Sequence, residues 1–289
     1  MKNTINILVA GGDARQLYCA AGLAAEPGFS VEICGADDIP EELGLKRAEL
    51  SGDKLYDCVV LPVIPIDNDG NIYAPLSSVP LKAEKIRSSL KSGAVIFAGR
   101  TGTVLQNAFP EMRTEGYIDR EELSLKNAVP TAEGAVMTAL GSLPVTLNGL
   151  SVLIAGMGRI GTALAPILKG FGAETAAAVR NERGAAKARI AGIRPIRTAS
   201  LAGADNSGYS VVFNTVPSLV FGYEELKGFR QDCLFIELAS EPGGIDTEAA
   251  ECLGLRVISA PGLPGKTAPV TAGHIIAETI AEVINEEVS

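Results

Sequence analysis

The chain has 289 residues, 47% apolar and 20% charged, with 32 glycines and 5% aromatics, which suits two domains with sizeable cores and favours turn-rich α/β over a β-sandwich. Its formal net charge of −9 argues against nucleic acid or an anionic membrane as the main partner, but not against an anionic substrate, for which local basic residues decide. The odd set Cys19, Cys34, Cys58, Cys233 and Cys252 contains no CxxC pair and fits no closed disulfide framework, so it reads as reduced thiols in a cytoplasmic protein.

The start of the chain runs straight into an apolar strand pattern without a signal-peptide layout, and no apolar run approaches the ~20 residues of a membrane span. Residues 5–10 form the first strand candidate and end in Gly11-Gly12-Asp13. A helix is expected over 14–25, strands over 30–34, 58–63 and 94–98, and a helix over 82–90. Residues 65–80, with Asn68-Asp69-Gly70-Asn71, read as a loop. Strands alternating with helices imply βαβ units and a parallel sheet. The Gly11-Gly12-Asp13-Ala14-Arg15-Gln16 turn lacks a full GxGxxG, so a second dinucleotide site is not expected there. Two readings stand: Gly12, Asp13 and Arg15 bind a carboxylate at the helix end, or Asp13 caps the helix and Arg15 forms a surface ion pair.

A helix from Pro130 follows, spanning 130–147 between the domains, with Thr131 and Glu133 in its first turn as candidates for substrate contact. Next comes the most informative stretch. The apolar run 151–155 leads into Gly156-Met157-Gly158-Arg159-Ile160-Gly161, and a helical pattern follows over 162–169. A GxGxxG between a strand and a helix is the dinucleotide fingerprint. Its glycines permit a tight turn, backbone approach to a pyrophosphate and close helix packing, and the helix N-terminus faces that anion with free N–H groups.

Further strands are expected over 175–179, 193–196, 211–214, 234–238 and 257–259, six in all with the first, which matches a doubly wound nucleotide domain. An NAD-preferring domain usually carries Asp or Glu at the end of its second strand. Here that place reads Val179-Arg180-Asn181-Glu182-Arg183, so Arg180, Asn181 and Arg183 point to a 2′-phosphate and NADP is favoured over NAD, with Glu182 the residue able to reach a ribose hydroxyl instead. Thr215-Val216-Pro217 and Ala239-Ser240 follow the fourth and fifth strands, where open α/β sheets bind ligands; they are either cofactor-facing or turn chemistry alone. Lys266, expected on a loop, either contacts an anionic substrate or is solvated. His274 is the only histidine, a candidate general acid or base, or a packing residue. No cluster points to a catalytic metal. The last helix, over 268–288, is expected to return to the first domain, giving 1–128 plus 271–289 as the substrate domain and 148–270 as the NAD(P)-binding domain, two Rossmann-like domains joined by two connections across one cleft.

Together, Gly11-Gly-Asp-Ala-Arg-Gln-Leu17, Pro130-Thr-Ala-Glu-Gly134, the fingerprint, Asn214-Thr-Val-Pro-Ser218, Leu238-Ala-Ser-Glu-Pro-Gly-Gly244, Ala260-Pro-Gly-Leu-Pro-Gly265 and Thr271-Ala-Gly273 resemble the A subunits of the dipicolinate synthases of endospore-forming bacteria over nearly the whole chain. The resemblance implies oxidation of dihydrodipicolinate to dipicolinate with NAD(P), a partner in the form of a flavoprotein-like B subunit, and a role in sporulation, in the cytoplasm of the mother cell; a homo-oligomer is also expected. Glu241 stands where the family motif has a basic residue, and His274 where it has Gln. The two-domain plan also resembles that of the D-2-hydroxyacid dehydrogenases, whose chemistry needs a His–carboxylate couple. A third reading is a non-catalytic NADP-binding subunit.

Overall fold

The computed structural model describes residues 4–50 and 54–288; residues 1–3, from which the start of the chain was read, and residue 289, the end of the substrate-domain segment 271–289, lie outside the described residues. By contacts between residues the chain divides into two units, Met1–Asn127 with Ala268–Ser289, and Ala128–Thr267.

The first unit begins with Ile5–Ala10 (β1), Ala14–Ala24 (α1), Phe29–Cys34 (β2), Lys46–Arg47 (β3) and Tyr56–Val60 (β4). Asn71–Ile72 (β5), Leu81–Lys82 (β6), Ala83–Arg87 (α2), Leu90–Ala98 (β7), Thr103–Ala108 (α3) and Arg113–Gly116 (β8) follow. Six of the strands form a parallel sheet in the order β3-β2-β1-β4-β7-β8. The apolar run over residues 7–10 of β1 is explained by burial on both faces. Ile7 and Val9 join the core on one side, Leu8 and Ala10 the core on the other.

Two expectations change here. The 65–80 segment is not all loop, because β5 pairs antiparallel with β6. The helix expected over 82–90 shrinks to α2, since Lys82 and Leu90 are taken into strands. Strands β3 and β8 and helix α3 carry no hydrophobic pattern of their own, and pairing to an existing sheet edge is what makes β3 and β8 strands.

Glu121–Ser142 (α4) crosses the boundary between the units, and it corrects the expected helix at 130–147. The helix starts nine residues earlier, with Glu121 and Glu122 in its first turn, where carboxylates suit the helix dipole. Pro130 lies inside it and is buried. It removes one backbone donor, which a helix of 22 residues absorbs.

The second unit continues with Ser151–Ala155 (β9), Arg159–Gly170 (α5), Glu174–Val179 (β10), Glu182–Ile190 (α6), Arg194–Arg197 (β11) and Val211–Asn214 (β12). Tyr223–Leu226 (α7), Leu234–Glu237 (β13), Thr247–Cys252 (α8), Arg256–Ser259 (β14) and Leu263–Thr267 (α9) complete it. Its strands are parallel in the order β11-β10-β9-β12-β13-β14. Counted within each sheet, both orders are 3-2-1-4-5-6, the doubly wound arrangement, whose ligand crevice lies at the carboxyl ends beside the first and fourth strands. The α/β expectation with two parallel sheets therefore holds. One face of the second sheet packs on Phe221, Phe229 and Phe235, whose rings meet edge-on at 5.0–6.1 Å.

Pro269–Val288 (α10) belongs to the first unit and packs along α1. Gly273 makes that approach possible: a Cβ there would lie 2.5 Å from the Arg15 carbonyl oxygen and 2.6 Å from Tyr18 Cβ. Lys266 sits on α9 rather than on a loop, because Pro264 and Gly265, which read as turn signals, fall in the first turn of a short helix, where proline is tolerated.

Candidate functional site

In the second unit the three fingerprint glycines do three different things. Gly156 has φ +92°, and a Cβ on it would lie 2.7 Å from both Thr215 Oγ1 and Val216 Cγ2. A Cβ on Gly161 would lie 2.1 Å from the Gly156 carbonyl oxygen, so that glycine lets α5 close on the turn. Gly158 has no heavy atom within 4 Å of its Cβ position and borders open space. That space is a cavity of about 700 Å³, within the range of small-molecule sites. The turn is tied to the fourth strand of this sheet by Thr215, whose N–H and Oγ1 both donate to the Ala155 carbonyl, at 3.0 and 2.8 Å. Glycine cradle, open wall and helix N-terminus together fit a dinucleotide pyrophosphate.

Of the residues expected at the cofactor, Gly156, Met157, Gly158, Arg159, Arg180, Asn181, Arg183, Val216 and Pro217 line the cavity. Ile160, Gly161, Thr215, Ala239 and Ser240 are outside its lining; Gly161 and Thr215 shape the turn from behind. Lys187 and Thr198 also line it and were missed by sequence reasoning. Lys187 was findable, since it stands four residues after Arg183 and so shares its face of α6. Asn181 caps α6, its Oδ1 accepting from the Gly184 N–H at 3.0 Å. Arg180, Arg183 and Lys187 make no ion pair among the described residues. Glu182 is outside the cavity lining and is engaged elsewhere, by Arg189 at 2.6 Å and Arg197 at 2.8 Å. The Arg189 hydrogen bond, aided by Arg197, holds its carboxyl below the usual range.

A second arrangement, also unseen in the sequence, lies at the ends of β12 and β13. Asn214 and Glu237 are register neighbours. The Glu237 carboxylate accepts from Asn214 Nδ2 at 2.8 and 2.9 Å, and from the N–H groups of Ala239 and Gly244, both at 2.9 Å. A carboxylate ending a buried strand was the available signal.

The residues expected to touch substrate are divided between the units. In the first, Asp13 caps α1, accepting from the Arg15 N–H at 3.1 Å, and the Arg15 guanidinium closes on the same carboxylate. Burial opposes the Asp13 charge, but the Arg15 hydrogen bonds and charge outweigh it and hold the carboxyl below its usual value. Burial likewise lowers the Arg15 pKa, and Asp13 more than restores it. Of the two readings left open, the cap and ion pair are therefore built in this structure. Gly12, at φ +86°, donates its N–H to the Tyr73 carbonyl at 2.7 Å, so that group is engaged within the protein. His274 lies on α10, exposed, near Gly22 and without a hydrogen bond or ion pair among the described residues. In the second unit Thr131 and the exposed Glu133 lie on α4, and Lys266 is exposed on α9. The two helices meet at Gly134, where a Cβ would lie 2.9 Å from Thr267 Oγ1. Among the described residues no group of three or more His, Cys, Asp or Glu could hold a metal ion, and no helix is long and apolar enough to cross a membrane.

The sheet order and the glycine cradle define the second unit as a dinucleotide-binding domain of the dehydrogenase type. Residues 128–239 match the NAD-binding domain of the D-isomer specific 2-hydroxyacid dehydrogenases. Residues 6–117 match the N-terminal domain of the dipicolinate synthase A subunits. The chain is 28% identical to the dipicolinate synthase A subunit of Bacillus subtilis (strain 168), over 99% of this chain and 98% of that one. The crystal structure of the Bacillus halodurans A subunit superposes with a TM-score of 0.88 at 27% identity, covering 98% of this chain and 99% of the other. That of the B. subtilis A subunit gives 0.86 at 28%, covering 99% and 97%. The resemblance carried by the motifs thus holds along the chain, which is similar to the dipicolinate synthase A subunits over nearly its whole length.

Proposed function

We propose that this chain is the A subunit of a dipicolinate synthase and oxidises dihydrodipicolinate to dipicolinate, with NADP preferred over NAD. The observation that carries this reading is the likeness to the B. subtilis A subunit over 99% of the chain. The glycine-lined cavity supports the cofactor. In the reaction a hydride leaves an sp³ ring carbon with two electrons, a proton leaves the ring, and a pyridine results. When bound, the oxidised dinucleotide supplies the acceptor for the hydride. Aromatisation supplies driving force, so the protein's main tasks are to hold two carboxylates and orient the ring carbon.

Gly156 to Gly161 would hold the pyrophosphate at the start of α5. Arg180, Arg183 and Lys187 around the cavity support a 2′-phosphate, while Glu182, the residue suited to a 2′-hydroxyl, is taken by two arginines. Thr215, Val216 and Pro217, with Ala239 and Ser240, are assigned to the nicotinamide side. Gly12, Asp13 and Arg15 in the first unit, and separately Thr131, Glu133 and Lys266 in the second, are kept in this proposal as candidates for substrate contact. A substrate carboxylate would have to compete with Asp13 for the Arg15 guanidinium, or take its remaining N–H groups. Among the described residues His274 has no carboxylate partner, and the hydroxyacid reading calls for one. The same proposal includes a partner B subunit, self-association, and a place in the mother-cell cytoplasm of a sporulating bacterium.

The test supplies dihydrodipicolinate and NADP to this chain by itself, to its isolated B subunit, and to the two together, and follows pyridine-dicarboxylate absorbance. Product from this chain, by itself or only in the mixture, supports the reading; product from the isolated B subunit, or none, overturns it. Product that needs B but survives loss of dinucleotide binding in this chain makes it a non-catalytic subunit.

A further inference from the structure

We infer that Glu237 is a positioning residue for the dinucleotide: acting through Asn214 and Gly244, it sets the backbone of residues 216–220, which forms one wall of the cofactor cavity. The inference rests on the dinucleotide half of the proposed function and not on the substrate. Asn214 is fully buried, and its amide is shared between Glu237 and Val216. Nδ2 donates to both Glu237 oxygens and, at 3.0 Å, to the Val216 carbonyl; Oδ1 accepts from the Val216 N–H at 3.2 Å. A carboxylate accepts and never donates, so its presence requires the nitrogen of the Asn214 amide to face it. That orientation then dictates which way both polar groups of Val216 are held.

The other side of the carboxylate does the same for the segment after β13. The Ala239 N–H binds one oxygen and the Gly244 N–H the other. Gly244 is wedged against the first segment: a Cβ on it would lie 2.5 Å from the Val216 carbonyl oxygen and 2.6 Å from Asn214 Nδ2. Its own carbonyl accepts from the N–H groups of Val220 and Phe221, both at 2.9 Å. Residues 216 and 220 are thus each tied to the Glu237 assembly, and both line the cavity, whereas Glu237 itself does not.

The change Glu237→Gln keeps the shape but turns one acceptor into a donor, which must face the Asn214 nitrogen or a backbone N–H. NADPH is titrated by the fluorescence of its bound nicotinamide, with thermal unfolding measured in parallel. A second variant, Ile236→Val, trims a buried residue of the same strand without touching the assembly. The expected result is about a tenfold weaker NADPH complex for E237Q and wild-type affinity for I236V, even where I236V unfolds at the lower temperature. Wild-type affinity in E237Q overturns the inference, as does a loss in both variants that simply follows their loss of stability. Should E237Q not fold, Glu237→Asp, which withdraws the carboxylate by one carbon, is read by the same criterion. A wild-type protein that binds NADPH but does not oxidise dihydrodipicolinate defeats the proposed reaction and leaves this inference standing; one that binds no dinucleotide defeats both.

Discussion

Arg15 folds back onto Asp13, with Nε 2.9 Å from Oδ1 and Nη2 2.7 Å from Oδ2, while Asp13 also caps the helix that Arg15 begins to climb. The pair is locally neutral at the helix end proposed for a substrate carboxylate. Replacing Asp13 by Ala should cost about 1 kcal/mol of stability at neutral pH through the lost cap and ion pair. The Asp13 pKa is lowered in the folded state, so this contribution is full above the unfolded value of about 3.9 and is lost as pH falls through the folded value. Urea unfolding of wild type and D13A should therefore converge towards acid pH; a difference that persists there would assign the loss to something other than the ionised cap. For function, Arg15→Ala should raise the Michaelis constant for dihydrodipicolinate about tenfold, and unchanged turnover and affinity would remove Arg15 from the substrate set.

The fingerprint glycines should respond differently to one added methyl group. Gly161→Ala places a Cβ 2.1 Å from a backbone oxygen, an overpacking expected to cost roughly 2 kcal/mol or more, seen as a fall in the unfolding midpoint. Gly158→Ala meets open space at a backbone of φ −80° that alanine adopts, so its unfolding should stay near wild type. Its NADPH affinity should nevertheless fall about tenfold, or about 1.4 kcal/mol. Undiminished binding in G158A would place the pyrophosphate elsewhere.

Cofactor choice is expected to follow the cations around the cavity. Removing Arg180, Arg183 or Lys187 singly should narrow the NADPH-over-NADH preference about five- to tenfold, and added salt should narrow it too. Glu182→Ala should leave the preference intact, because that carboxylate is held by Arg189 and Arg197. A wild-type protein with equal dissociation constants for the two would refute the 2′-phosphate site.

Thiol labelling should separate the five cysteines. Cys252 is exposed and should react with a disulfide reagent first in the native protein. Cys19, Cys58 and Cys233 are buried, and burial pushes the Cys34 and Cys233 thiols up to about 12. Rapid modification of more than one thiol before unfolding would contradict this packing.

Much of the fold was legible because its signals are local. Strands β1 and β12 fall at their expected bounds, since a short apolar run closed by glycine or a polar residue marks a buried parallel strand. The fingerprint was legible because its three glycines, spaced within six residues, stand between a strand and a helix, although the atoms that crowd Gly156 belong to Thr215 and Val216. Strands β3 and β8 were not, since they become strands only by pairing with an existing edge. Nor was the start of α4, where Pro130 reads locally as a beginning and the acidic residues ahead of it decide otherwise.

The sequence by itself determined the fold class, the place of the dinucleotide turn and the cationic character of the segment after β10, all of which depend on neighbours along the chain. Only the tertiary structure decided which partner each polar group takes. It turned Glu182 onto Arg197, 15 residues away, and joined Asn214 to Glu237 across 23. Hydrogen bonds and ion pairs act over about 3 Å, so their pairing depends on which strand ends the sheet brings side by side.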